Sequence, residues 1–200
     1  MGSPHCYSIV LGGKFGVGKS SLFRRLRSDV FSEEGCEAGA ERYTHKTTID
    51  GEAVEVYLWD TGGLEQYHTV TANYYRSCQA IILVYDVDEE QTLYSLKEWI
   101  AQAKDYSMYK NNVMLALWGN KNDGGSIGVP AFMGSVKGFM ELNDISNSLH
   151  CTMSAKTGYN VKEAFDGVIA ALMSRGNIAK EEPLNFPNIS QRSGCRFGLC

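Results

Sequence analysis

A glycine-rich segment near the N-terminus has the residue types and spacing of a phosphate-binding loop. The segment Gly13-Lys14-Phe15-Gly16-Val17-Gly18-Lys19-Ser20 fits the pattern G-x-x-x-x-G-K-S/T. Glycines let the backbone curl so that successive N–H groups point at phosphate oxygens, and a helix N-terminus adds partial positive charge. Lys19 supplies a full charge for β- and γ-phosphates, and the Ser20 hydroxyl can ligate Mg²⁺. The alternative is an ordinary glycine-rich turn between a strand and a helix.

The flanking segments supply the context that a phosphate loop needs. Tyr7 to Leu11 reads as a short buried strand, and Ser20 to Arg27 reads as a helix with one apolar face. Further along, Asp60 follows a predicted strand and could hold the Mg²⁺ shell, while the N–H of Gly63 could touch a γ-phosphate. For Asp60 the alternative is a turn or helix-capping role.

Two short polar segments that follow buried strands could read a guanine base. In Asn120-Lys121-Asn122-Asp123, the Asp123 carboxylate could accept hydrogen bonds from guanine N1–H and N2–H₂, a donor pair that adenine lacks. The Lys121 stem could lie over the base, and a backbone N–H of Ser154-Ala155-Lys156 could meet guanine O6. Each segment alone could be a plain turn, and the signal comes from the order and spacing of all three motifs.

Length and composition indicate one soluble globular domain. The chain has 200 residues, of which 44% are hydrophobic and 21% charged, and a net charge of -4 that does not favour nucleic acid as a partner. No apolar run approaches ~20 residues and no signal peptide is recognisable, so we expect a cytoplasmic protein with reduced cysteines. Cys78 and Cys151 flank apolar strands, which predicts small buried hydrophobic side chains.

Strands and helices alternate along the chain, which predicts an α/β fold with a mostly parallel sheet and helices on both faces. Strands are predicted at 43–49, 53–59, 80–85, 113–118 and 150–153, with a hairpin turn at Asp50-Gly51 between the first two. Helices are predicted at 64–76, around residues 93–100, at about 136–149 and at 161–173, and a loop at 28–42. We expect residues 1–176 to form the domain and 177–200 a disordered tail.

Over about residues 6–175 the chain resembles the Rab family of small GTPases in the Ras superfamily. The similarity is most specific in WDTGGLEQYHTVTANYYRSCQAIILVYDV and SAKTGYNVKEAF. The resemblance implies a P-loop NTPase fold of six strands and five helices, which binds GTP or GDP with Mg²⁺. It also implies a switch in vesicle traffic, with effectors and exchange factors bound through about residues 32–45 and 62–78.

The resemblance also assigns site residues. Nucleotide-binding positions are Gly13, Gly16, Val17, Gly18, Lys19, Ser20, Ser21, Phe31, Gly63, Asn120, Lys121, Asp123, Ser154, Ala155 and Lys156. The metal-linked positions are Ser20 and Asp60, and Lys19 and Leu64 occupy the catalytic positions. Phe31 would flank the base or, alternatively, anchor a buried loop.

Three departures fall on the switch and catalytic positions. Leu64 stands where the family usually has Gln, and Glu37 or Ala38 stands where it has a Thr that ligates Mg²⁺. Phe15 stands beside the expected γ-phosphate, where small residues are tolerated, so we expect it to crowd that region. We therefore expect slow GTP hydrolysis, unless Gln66 replaces the missing Gln. A GTP-locked platform for partner proteins is the alternative, and a P-loop kinase is disfavoured because the guanine-reading segments would have no use.

The C-terminal tail departs from the family as well. Rab tails typically end in two close prenylated cysteines, whereas Cys195 and Cys200 lie five residues apart and neither fits C-a-a-X. Two interpretations stay open. The tail could carry a lipid that holds the protein on the cytoplasmic face of a membrane, or it could be unmodified and disordered.

Overall fold

The computed structural model describes residues 4–32, 41–62, 73–109, 112–124 and 132–176. The strands in these ranges are β1 (His5–Gly12), β2 (Glu41–Ile49), β3 (Glu52–Asp60), β4 (Ala80–Asp86), β5 (Met114–Asn120) and β6 (His150–Thr152). The α-helices are α1 (Lys19–Ser28), α2 (Glu90–Ser95), α3 (Lys97–Tyr106), α4 (Met133–Leu142) and α5 (Val161–Ser174). A 3₁₀ turn over Asn147–Leu149 precedes β6.

The strands form one six-stranded sheet in the order β2-β3-β1-β4-β5-β6. Only β2 and β3 are antiparallel among these neighbours, and their turn residues Asp50 and Gly51 have φ values of 52° and 83°. Two successive positive φ values are what a tight hairpin needs to match the strand twist. The carboxyl ends of the parallel strands share one edge, so the loops after β1, β3, β5 and β6 meet there. The predicted fold class is confirmed.

Helices cover both faces of the sheet. On one face, Phe23 of α1 and Phe165 of α5 belong to a continuous buried cluster with strand residues. On the other face, Trp99 of α3 and Phe139 of α4 belong to a second cluster. All seven residues of β4 are buried, as its uninterrupted apolar run predicts for a strand covered on both sides. The sheet is therefore a rigid support for the loops at its carboxyl edge.

Several predicted boundaries were wrong. The helix predicted at about 136–149 is α4, which ends at Leu142, because Asp144 adopts a φ of 55° that a right-handed helix cannot contain. The predicted helix around residues 93–100 is two helices, α2 and α3, which meet at Leu96. Strand β2 begins at Glu41, inside the predicted loop. Residues 73–76 are helical, and the rest of the predicted helix 64–76 lies outside the described residues.

The two cysteines that flank strands differ in burial. Cys78 is fully buried as predicted, whereas Cys151 on β6 is only partly buried. Desolvation raises the pKa of both thiols to about 12, so both are protonated at neutral pH. Within the described ranges, no helix is both long and apolar enough to cross a membrane. Cys195 and Cys200, with the whole predicted tail 177–200, lie outside the described residues.

Candidate nucleotide-binding site

The predicted phosphate loop connects β1 to α1 at the carboxyl edge of the sheet. Gly13, Gly16 and Gly18 have φ values of 142°, 89° and 95°, which glycine adopts without a Cβ penalty. A Cβ on Gly13 would lie 2.3 Å from the carbonyl oxygen of Val84 on β4, so the loop is also packed too closely for a larger residue. The spacing of these glycines therefore reflects the backbone path of the loop.

Lys19 and Ser20 begin α1 directly after the loop. The Lys19 side chain is 5% exposed, and its ammonium donates hydrogen bonds to the carbonyl oxygens of Gly13 (2.7 Å) and Lys14 (3.0 Å). The positive charge of Lys19 therefore lies next to the loop in which phosphate is predicted to bind. Gly18 is the N-cap, so no capping side chain competes for the first N–H groups of α1, and Ser20 and its neighbour Ser21 are half-buried beside them.

Asp60 ends β3 beside the phosphate loop. Its backbone pairs with Leu11, two residues before Gly13, and its side chain is buried. Its Oδ1 accepts a hydrogen bond from the N–H of Gly62 at 3.1 Å. A carboxylate and the Ser20 hydroxyl are hard oxygen donors, which is the ligand type that Mg²⁺ prefers. The residues present at this edge therefore fit a magnesium ion.

Two aromatic side chains near the loop lie in different surroundings. Phe15 is 84% exposed at the tip of the turn between Lys14 and Gly16. The expectation that its ring crowds the γ-phosphate region stays a prediction, because the exposed fraction is that of a chain without nucleotide. Phe31 follows α1 and is half-buried, and its predicted place beside the base stays a prediction. Gly63, Leu64, Gln66, Glu37 and Ala38 lie outside the described residues.

Asn120, the last residue of β5, joins the two halves of the site. Its side chain is 2% exposed, donates from Nδ2 to the carbonyl oxygen of Val17 (2.9 Å) and accepts at Oδ1 from the N–H of Ala155 (3.0 Å). A Cβ on Gly18 would lie 2.3 Å from Nδ2, so the phosphate loop sits directly against this amide. Sequence reasoning assigned Asn120 to the site but missed its role as a bridge.

Ser154 holds the carboxylate of Asp123. Its buried hydroxyl donates to Asp123 Oδ1 at 2.7 Å and accepts from the N–H of Thr157 at 3.0 Å. A carboxylate has about four lone-pair positions, so Asp123 keeps acceptor capacity for a further donor pair. The N–H of Ala155 already donates to Asn120, so a contact from it to guanine O6 would be a shared, three-centre hydrogen bond.

Lys121 forms an ion pair that the sequence did not indicate. Its Nζ lies 2.7 Å from Oδ2 of Asp86, a buried carboxylate at the end of β4. Asp86 and Asn120 are register partners on adjacent strands, and the left-handed φ of 72° at Lys121 turns the chain at the end of β5. The predicted contact of the Lys121 stem with a base stays a prediction. In the sequence, Asp86 is marked only by its position at the end of the apolar run of β4, which does not predict an ion pair with Lys121.

Comparisons with known proteins agree with this fold and loop arrangement. A family model described as the Ras family matches residues 8–174. Ras-related protein Rab-30 of Homo sapiens is 31% identical over 199 residues, which cover 96% of this chain and 95% of that protein. Ras-related protein RABD2a of Arabidopsis thaliana is 29% identical over 215 residues, which cover 96% of each chain. The chain therefore belongs to the Ras family as a Rab-like small GTPase, a GTP-binding regulator in vesicle traffic that hydrolyses GTP to GDP.

Proposed function

We propose that the loops at the carboxyl edge of the sheet bind GTP and GDP with Mg²⁺ and make the chain a switch that recruits effectors. The observation that carries this proposal is the bridge made by Asn120 between Val17 of the phosphate loop and Ala155 of the predicted guanine loop. A site for phosphate alone needs no such link. A nucleotide spans both loops, so its affinity depends on their being held at a fixed separation.

The phosphate half of the site would act by charge and backbone dipoles. Backbone N–H groups of residues 13–20 and the Lys19 ammonium would bind the β- and γ-phosphates. Ser20 and Asp60 would hold Mg²⁺, which when bound neutralises phosphate charge. The buried position of Asp60 supports this role, since a carboxylate in that setting gains from a nearby cation.

The guanine half would select the base. Asp123 would accept hydrogen bonds from guanine N1–H and N2–H₂, each charge-assisted bond contributing about 1.5–3 kcal/mol. Adenine has no such donor pair, so it would leave the carboxylate unsatisfied and lose several kcal/mol. Phe31 and the stem of Lys121 would flank the faces of the base.

Intrinsic GTP hydrolysis is proposed to be slow, because Leu64 cannot orient a water molecule as the family's Gln does. Loss of one oriented polar group in such a site costs ~2–4 kcal/mol, or roughly 10²–10³ in rate. Single-turnover hydrolysis should be measured for the wild type, Leu64→Gln and Gln66→Ala. Leu64→Gln should be faster and Gln66→Ala unchanged. An ordinary wild-type rate that Gln66→Ala abolishes would refute the proposal.

The second candidate is a GTP-locked platform for partner proteins, in which hydrolysis is too slow to return the protein to the GDP-bound state. It is favoured by the same Leu64 together with Glu37 or Ala38 at the expected switch Thr position. Nucleotide extracted from the purified protein and separated by chromatography distinguishes the two. Bound GDP supports a switch that completes its cycle, and bound GTP supports the platform.

The proposal also includes binding to partner proteins and to a membrane. Effectors and exchange factors would bind through about residues 32–45 and 62–78, which include the start of the edge strand β2. Cys195 and Cys200 would carry prenyl groups that hold the protein on the cytoplasmic face of a membrane. A single lipid chain gives only marginal anchoring, so both cysteines would contribute.

A further inference from the structure

Arg25 on α1 faces the loop after β6, whereas Leu22 and Phe23 of the same helix pack into the core. Its side chain is only 14% exposed. Its Nε donates to the carbonyl oxygen of Ala155 at 3.0 Å, and its Nη2 donates to that of Lys156 at 2.7 Å. Its Nη1 donates to the carbonyl oxygen (2.7 Å) and a carboxylate oxygen (3.1 Å) of Asp29. Four of the five guanidinium donors are therefore engaged.

The contact with Lys156 continues as a chain of hydrogen bonds to Asp123. The carbonyl of Lys156 and the N–H of Thr157 belong to one planar peptide unit and point in opposite directions. That N–H donates to the Ser154 hydroxyl at 3.0 Å, and the hydroxyl donates to Asp123 Oδ1 at 2.7 Å. The guanidinium of Arg25 thus contacts the peptide unit whose N–H donates to Ser154, and Ser154 in turn donates to the carboxylate.

The second pair of contacts ties the same guanidinium to the end of α1. Asp29 is the C-cap of α1, has a left-handed φ of 54° and comes two residues before Phe31. The carboxylate of Asp29 is exposed and adds little by itself, but the backbone carbonyl of Asp29 accepts a hydrogen bond at 2.7 Å from the largely buried guanidinium. Arg25 therefore connects the segment that leads to Phe31 with the segment 154–156, both of which are predicted to contact the base.

We propose that Arg25 is a positioning residue for guanine selectivity, which holds the Asp123 carboxylate in register with the base edge through Lys156, Thr157 and Ser154. The inference rests on the proposed guanine site. Arg25 itself need not touch the nucleotide. Without its fork, the carbonyl of Lys156 loses its partner and the peptide plane is held only from the N–H side, so the carboxylate is held less precisely in the alignment that two parallel hydrogen bonds require.

The test compares GDP with IDP, whose hypoxanthine base keeps N1–H and O6 but lacks the N2 amine. In the wild type, one charge-assisted hydrogen bond should favour GDP about 10- to 100-fold. In Arg25→Ala the ratio of IDP to GDP dissociation constants should fall at least about fivefold, because a tilted carboxylate cannot serve both donors. Arg25→Lys, which keeps one charged donor without the fork, should give an intermediate ratio. Equal weakening of both nucleotides would mean a purely structural role and would overturn the proposal.

Two further variants make the experiment decisive. Arg27→Ala is the matched control, since Arg27 lies on the same helix, is half-exposed and pairs with Glu41 at 3.0 Å, and its ratio should equal that of the wild type. Ser154→Ala breaks the same chain of hydrogen bonds, so adding Arg25→Ala to it should lower the ratio no further. Additive losses would contradict the shared path.

Stability and the proposed function are tested separately. If Arg25→Ala does not fold, Arg25→Gln keeps the stem and one amide donor, and the same fall in the ratio is expected. A wild type that does not prefer GDP to ADP overturns the proposed guanine site and this inference with it. A wild type that prefers GDP, with an unchanged ratio in the Arg25 variants, overturns the inference alone.

Discussion

Replacing Asn120 with alanine should release the nucleotide much faster. The change removes both hydrogen bonds of a buried amide and leaves the carbonyl of Val17 and the N–H of Ala155 without that partner. Each unsatisfied buried group costs about 1–3 kcal/mol, or roughly 2–4 kcal/mol for the pair after partial relaxation. If most of this penalty falls on the state in which a nucleotide holds both loops together, GDP should dissociate about 30- to 1,000-fold faster.

The measurement is dissociation of a fluorescent GDP analogue chased with excess GDP. Asn122→Ala is the matched control, because Asn122 lies in the same segment, is also buried and donates its side-chain amide to Thr152 Oγ1 at 3.2 Å, away from the phosphate loop. It should lower stability but change GDP dissociation by less than about threefold. A wild-type dissociation rate in Asn120→Ala, or an equal acceleration in Asn122→Ala, would refute the bridging role.

Three further predictions concern the metal, the tail and pH. Ser20→Asn should weaken GTP binding more than GDP binding in titrations with Mg²⁺, since a bulkier amide is a poorer ligand at fixed geometry, and equal losses would exclude Ser20 as the ligand. Cys195→Ser/Cys200→Ser should move the protein from the membrane to the soluble fraction of expressing cells, and an unchanged distribution would refute lipid anchoring. Burial lowers the pKa of His150, whose Nε2 lies 3.1 Å from the Tyr85 hydroxyl. The unfolded chain therefore binds more protons at this group, and the free energy of unfolding should fall as the pH falls below about 6.5. Urea unfolding at two pH values should show a smaller loss in His150→Gln, and an equal loss would show that His150 is not responsible.

The phosphate loop could be predicted because its constraints are local. Gly13, Gly16 and Gly18 have backbone conformations that favour glycine, and Lys19 and Ser20 follow at a fixed spacing. The sheet was predictable for a similar reason, since the apolar run of β4 is long enough to require cover on both faces. Both signals lie within a few consecutive residues.

The contacts that hold the site together could not be predicted in the same way. Asn120 and Val17 are far apart in sequence, and only the strand order of the folded sheet brings them together. Arg25 lies in an arginine-rich helix, where charged residues usually face water, and no pattern in the sequence predicts its contacts with Ala155 and Lys156. The end of α4 was missed because Asp144 is one of the few non-glycine residues that adopt a left-handed conformation.

The claim that Asp123 reads a guanine base is tested most directly by Asp123→Asn titrated with GDP and with XDP. In the variant, the side-chain NH₂ of Asn replaces one of the two carboxylate oxygens. The Asn side chain therefore no longer matches the two donors of guanine, but its NH₂ can donate to the C2 carbonyl of xanthine. We expect GDP affinity to fall by at least about 100-fold and XDP to become the preferred ligand. GDP affinity equal to that of the wild type, with no gain for XDP, would contradict the account.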